Sequence, residues 1–179
     1  MTKGEIFAAI MSCEGGYLDD KWTAKDGTPQ RTDVYKGIRR SIWVDKVNNP
    51  YAVQIFNKID WWKSQQPNGV IKWNSQLNDP TLINNINGFY NFYYEQKELA
   101  IDSYTDTYLR AHIFDHAFWQ GNTGCRRLVC QAFKVNYVGK APTNAEYQSA
   151  IQIANGLPKA HDIFVNARIR FFGSNKSDT

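Results

Sequence analysis

From Asn49 to the end of the chain, apolar residues recur at helical spacing behind a repeated start signal, and this limits the possible folds more than any other feature. Asn49-Pro50 and Asp79-Pro80 each place a side-chain cap before a proline whose fixed φ suits the first helical position. Behind the first lie Ala52, Ile55, Phe56, Ile59 and Trp62 on one stripe, and behind the second Leu82, Ile83, Ile86, Phe89, Tyr90 and Tyr93. Gln66-Pro67-Asn68-Gly69 between them reads as a turn. Thr105 opens a further helix with Leu109, Ile113, Phe114, Ala117 and Phe118, ended by Gly121; Thr123 opens another, with Cys125, Leu128, Val129 and Ala132 inward. Thr143 and Glu146 have capping-box spacing before Tyr147, Ala150, Ile151 and Ala154, and a last helix starts near Pro158 with Ile163, Phe164, Ala167 and Phe171 on one side. No alternating strand pattern of comparable length competes. The expectation is a mostly α protein, one helical domain over residues 1–172 with a polar tail over 173–179.

At the N-terminus, Thr2 and Glu5 again have capping-box spacing, and Ile6, Ala9, Ile10 and Cys13 share a face. Gly15-Gly16 stop this first helix directly after Glu14. Residues 18 to 37 are polar and turn-rich, with Asp19, Asp20, Asp26-Gly27, Thr28-Pro29 and Asp33, so a loop or short hairpin is expected there. Glu14 is thereby a carboxylate fixed at a helix C-terminus, where the carbonyl dipole disfavours a second negative charge. A terminus contributes only about 0.3 to 1 kcal/mol. That is under one pKa unit at about 1.4 kcal/mol per unit. Glu14 is a candidate general acid, and an aspartate of the following loop is a candidate partner.

Aromatic residues reach 15%, which suits sugar-binding clefts as well as cores, and the net charge of +4 mildly favours an anionic partner. Three cysteines, Cys13, Cys125 and Cys130, make neither a disulfide framework nor a paired metal spacing. His112 and His116 sit at i and i+4, but Asp115 is one carbon short of the base of a zinc protease motif, so no metal and no cofactor are expected. The basic clusters Lys36, Arg39, Arg40 and Arg126, Arg127 read as a solvated face, and no nucleic-acid motif accompanies them. Asp115, in an apolar helix, needs a partner, for which Arg168 is available. Neither an export signal nor a membrane-spanning run is expected.

Glu14-Gly15-Gly16-Tyr17, Tyr35-Lys36-Gly37-Ile38, Phe89-Tyr90, Ile113-Phe114-Asp115 with Gly121, and Gln131-Ala132-Phe133-Lys134-Val135 occur in an order that resembles the N-acetylmuramidases of glycoside hydrolase family 108. The resemblance spans nearly the whole chain. It implies a lysozyme-like helical domain that cleaves the β-1,4 bond between N-acetylmuramic acid and N-acetylglucosamine in peptidoglycan, as in phage endolysins. Glu14 matches the family's catalytic glutamate. The expected site then has Glu14 as acid, Asp33 or Asp26 as second carboxylate, Tyr17, Tyr35, Trp119 and Gln120 along the sugar, and Gly15, Gly16, Gly37 and Asp115 as structural neighbours.

The chain departs from the family in the segment before Gly37-Ile38, where a glycine pair is missing and Val34 stands at a threonine position; Trp119 stands where an asparagine is expected. A second expectation follows from these departures: a muramidase-like domain kept as a structural or wall-binding part of a phage virion or secretion apparatus. In either case the expected partners are peptidoglycan strands and phage tail or other virion proteins, with synthesis in a host cytoplasm and delivery by holin, virion or secretion apparatus.

Overall fold

The structure is a computed structural model that describes residues 1–18, 21–23, 29–31, 33–66 and 79–174. Among these the chain is mostly helical, with seven α-helices, a three-stranded sheet and a two-stranded sheet. It divides into two compact units, Phe7–Tyr93 and a second made of Met1–Ile6 with the chain from Tyr94 onward. No described helix is long and apolar enough to cross a membrane. Pro67-Asn68-Gly69 of the expected turn and most of the polar tail lie outside the described residues, as do Asp19, Asp20 and Asp26.

The unit Phe7–Tyr93 begins within helix α1 (Lys3–Cys13). The capping box forms: the Thr2 main-chain N–H donates to Glu5 Oε2 at 2.6 Å, and the Glu5 N–H to Thr2 Oγ1 at 3.3 Å. Ile6 and Ile10 of the expected stripe are buried, whereas Ala9 and Cys13 are exposed and Phe7 is buried in their place, which corrects the stripe. Five short strands follow: β1 (Tyr17–Leu18), β2 (Lys21–Thr23), β3 (Pro29–Arg31), β4 (Val34–Tyr35) and β5 (Ile38–Arg39). The stretch expected as a loop or hairpin is therefore paired: β2 with β3, and β1 with β4 and β5 in one antiparallel sheet of order β1-β4-β5.

Helix α2 (Arg40–Trp43) leads to α3 (Pro50–Ser64), capped as expected by Asn49, whose Oδ1 accepts from the N–H groups of Tyr51 and Ala52 at 3.1 Å. Asp79 caps α4 (Pro80–Tyr94) in the same way, accepting from Thr81 and Leu82. Such a cap contributes about 1 kcal/mol. The larger share comes from the buried faces: Ala52, Ile55, Phe56 and Ile59 on α3, and Leu82, Ile86, Phe89 and Tyr90 on α4. Trp43 adds edge contacts to Phe89 and Tyr93, with ring centres 5.0 and 5.5 Å apart.

The second unit is built on α5 (Thr107–Ala132), α6 (Asn144–Asn155) and α7 (Ala160–Ser174), with α5 packed on α6 and α7. Asp106, one residue after the expected Thr105, caps α5. At Gly121 the helix breaks, with φ 71 and ψ 168, so α5 is two helical segments joined at the glycine that the apolar pattern marked. Thr143 and Glu146 form the second capping box. In the core, the Tyr104 hydroxyl donates to Tyr147 Oη at 3.0 Å, and Tyr147 donates onward to the Leu99 carbonyl at 2.8 Å.

Candidate functional site

Glu14 stands directly after the last residue of α1, half-buried, with its N–H donating to the Ile10 carbonyl at 2.9 Å. What fixes this corner is the hairpin of β4 and β5. Tyr35 pairs with Ile38, leaving Lys36-Gly37 as a two-residue turn, and both have positive φ, 48 and 75. That is the signature of a type I′ turn, whose twist matches the flanking strands. The turn aims Lys36 at the end of α1: Nζ donates to the Glu14 carbonyl at 2.9 Å and the Met11 carbonyl at 3.0 Å. The Tyr90 hydroxyl donates to the Lys36 carbonyl at 3.0 Å, tying the turn to α4.

This corrects the electrostatic reason for making Glu14 an acid. The helix carbonyls that were to repel its charge are met by an ammonium, which offsets the dipole. Lys36 is also not part of a solvated basic face. The sequence carries little signal for this: Gly37 marks a turn, but Lys-Gly is not one of the dipeptides that mark a two-residue hairpin, and strands of two residues show no alternation.

Asp33 is fully buried. Its Oδ2 accepts from the Tyr17 hydroxyl at 2.9 Å and lies 3.2 Å from Arg40 Nε, a contact with ion-pair distance but without hydrogen-bond alignment. The Arg40 main-chain N–H donates to the Asp33 carbonyl at 2.9 Å. The same guanidinium makes a bidentate pair with Asp60 of α3, at 2.7 and 2.6 Å, and lies 4.7 Å over the Phe56 ring. Asp33 therefore holds the sheet to α3 through Arg40, and in this arrangement it does not reach solvent or a glycosidic bond.

Tyr17 and Tyr35 are likewise core residues rather than cleft walls, 7% and 1% exposed. The Tyr17 ring lies under the Lys63 ammonium at 4.8 Å. The Tyr35 hydroxyl has no hydrogen-bond partner, and burial pushes its pKa up to about 12. Tyr17 and Tyr35 lie on strands of two residues and Asp33 directly precedes one, and sequence polarity does not register the burial of such short segments.

The remaining expected residues belong to the second unit. Trp119 is 61% exposed and Gln120 is exposed, both on the turn of α5 before the Gly121 break. Asp115 pairs with Arg168 of α7, as its place in an apolar helix required. His116 is fully buried, and neither ring nitrogen has a hydrogen-bond partner. The edges of Phe164, Phe171 and Phe172 surround it at 5.9 to 6.1 Å. Burial, and then the Arg168 cation, push its pKa down to about 4, against the opposite pull of Asp115. Among the described residues no three His, Cys, Asp or Glu side chains stand together as a metal set. Set beside family models, curated proteins and solved structures, the chain matches none of them.

Proposed function

We propose that the protein hydrolyses the glycan strands of peptidoglycan as an N-acetylmuramidase, with Glu14 as the proton donor to the glycosidic oxygen. The observation that carries this reading is the fixing of Glu14: a half-buried carboxyl residue at the end of α1, with its own carbonyl bound by Lys36 at 2.9 Å. A general acid must be held within hydrogen-bond reach of the leaving oxygen, and a helix end tied to a tight turn supplies that rigidity. The resemblance around Glu14-Gly15-Gly16-Tyr17 and Tyr35-Lys36-Gly37-Ile38 supports the same assignment.

Hydrolysis with two carboxyl groups needs a partner about 5 Å away for retention, or about 6.5 to 9.5 Å for inversion. Asp33 is engaged with Arg40 and Tyr17, so on this reading the partner is Asp26 or another aspartate of residues 19 to 26. The engagement of Asp33 also favours the second reading, a non-catalytic wall-binding or structural domain of a virion or secretion apparatus. Purified protein incubated with peptidoglycan separates the two. Clearing by wild type and not by Glu14→Gln supports hydrolysis. Incorporation into isolated particles without clearing supports the second reading.

A further inference from the structure

The face of α5 opposite its buried stripe is polar, and it lines a cavity rather than a convex surface. Cys125 and Val129 are buried in the core of the second unit, while Arg127 and Gln131, one turn apart after the Gly121 break, and Gln120, just before it, line the cavity. The loop between α5 and α6 closes one side with Tyr137 and Lys140, and Phe171 of α7 lies at the other. The groove, open to solvent on one side, has a volume of about 490 Å³, within the usual range for a small-molecule site.

The chemistry of the lining is selective. Among the described residues, the side chains of Gln120, Arg127, Gln131, Tyr137 and Lys140 make no hydrogen bond or ion pair within the chain. Three arginines of the same unit are engaged within the fold, Arg110 with Asp102 and the Tyr104 carbonyl, Arg126 with Asn144 and the Pro142 carbonyl, and Arg168 with Asp115, whereas Arg127 and Lys140 meet in one concavity. Two unpaired cations in one concavity attract an anion. Two carboxamides, each donor and acceptor, match hydroxyl groups that are also donor and acceptor. An aromatic residue at the wall offers an apolar surface.

We propose that this cavity binds a sugar unit carrying an acidic group, a carboxylate or a phosphate, with Arg127 and Lys140 on the acid and Gln120 and Gln131 on the hydroxyls. The site is built entirely from the second unit and needs nothing from Glu14, so it stands whether or not the protein is a hydrolase.

The test is a titration of the full-length protein followed by amide proton–nitrogen shifts, with glucuronic acid, glucose 6-phosphate, glucose and inorganic phosphate as probes. Saturable shifts clustered over residues 120–140 are expected with at least one of the two acidic sugars, and binding about tenfold or more weaker with glucose and with inorganic phosphate, about 1.4 kcal/mol. Arg127→Gln and Lys140→Gln, with unchanged spectral dispersion, should each weaken the acidic sugars several-fold and leave glucose alone. Glucose binding as tightly as glucuronic acid would remove the charge assignment, and inorganic phosphate matching glucose 6-phosphate would reduce the site to an anion patch. Absence of saturable shifts with all four, or insensitivity to both substitutions, overturns the proposal. Because no turnover is read, these outcomes leave the hydrolase reading untouched. If glucuronic acid binds and glucose 6-phosphate does not, the acid is a carboxylate; the reverse result assigns a phosphate.

Discussion

The ammonium of Lys36 is bound to the main-chain carbonyl of Glu14 at 2.9 Å, so the residue that turns the β4–β5 hairpin also caps the helix that presents the candidate acid. The turn and the cap can be separated by substitution. Asn is well suited to positive φ in a type I′ turn but is too short and uncharged to replace the cap. Lys36→Asn should therefore keep the hairpin and lower stability by about 1 kcal/mol, the typical net worth of a charge-assisted bond at a helix end. A urea midpoint measurement reads this. Lower hydrolytic activity should accompany it if the cap positions Glu14.

Asp33 and Arg40 form a buried pair that extends to Asp60, so removing the cation leaves a carboxylate stranded in the core. Breaking such a pair costs about 3 to 5 kcal/mol. Arg40→Gln should reach that range in chemical denaturation, and Asp33→Asn should cost less because its neutral amide needs less solvation. Equal small effects from both would mean that the pair is not buried in solution.

The Tyr35 hydroxyl is buried without a partner, and its removal should help rather than harm. An unsatisfied buried group costs about 1 to 3 kcal/mol. Tyr35→Phe should hold or raise the melting temperature with no loss of glycan binding. A loss of binding would return Tyr35 to the site.

How far the sequence carries can be judged from particular residues. Asn49, Asp79, Thr143 and the Gly121 break were legible because caps, prolines and a helical stripe are local signals that agree with one another. The N-cap of α5 differed by one residue, Asp106 for Thr105. Around Glu14 the local signals fail. Strands of two residues have no period to read, so Tyr17, Tyr35 and Asp33 looked like cleft residues when their burial is decided by Arg40, Asp60 and the faces of distant helices. Lys36 and Arg40 read as surface charge in the sequence for the same reason: nothing local states that one caps a helix and the other joins two carboxylates.

His116 gives a pH dependence whose sign is fixed by its burial. Its pKa falls from an ordinary value near 6.5 to about 4 in the fold, through burial first and Arg168 second, with Asp115 opposing; half-buried His112 is pushed down in the same direction. The unfolded chain thus takes up the proton first. The contribution to stability is full above about pH 6.5 and is lost as pH falls through about 4. Urea midpoints for wild type should decline over that window, and His116→Phe, which keeps the aromatic cage filled, should decline less. Parallel curves would show that His116 does not enter the fold neutral.

The central claim, that Glu14 donates the proton in cleavage of the muramic acid bond, is tested most directly by the sugar left at the new reducing end. Purified peptidoglycan digested with wild type, reduced with borohydride and analysed by mass spectrometry should yield fragments ending in reduced N-acetylmuramic acid. Glu14→Gln, which keeps the shape and removes the acid, should yield none above background while melting within about 1 kcal/mol of wild type. Fragments ending in reduced N-acetylglucosamine, equal product from the Glu14→Gln protein, or no product from folded wild type would each contradict the account.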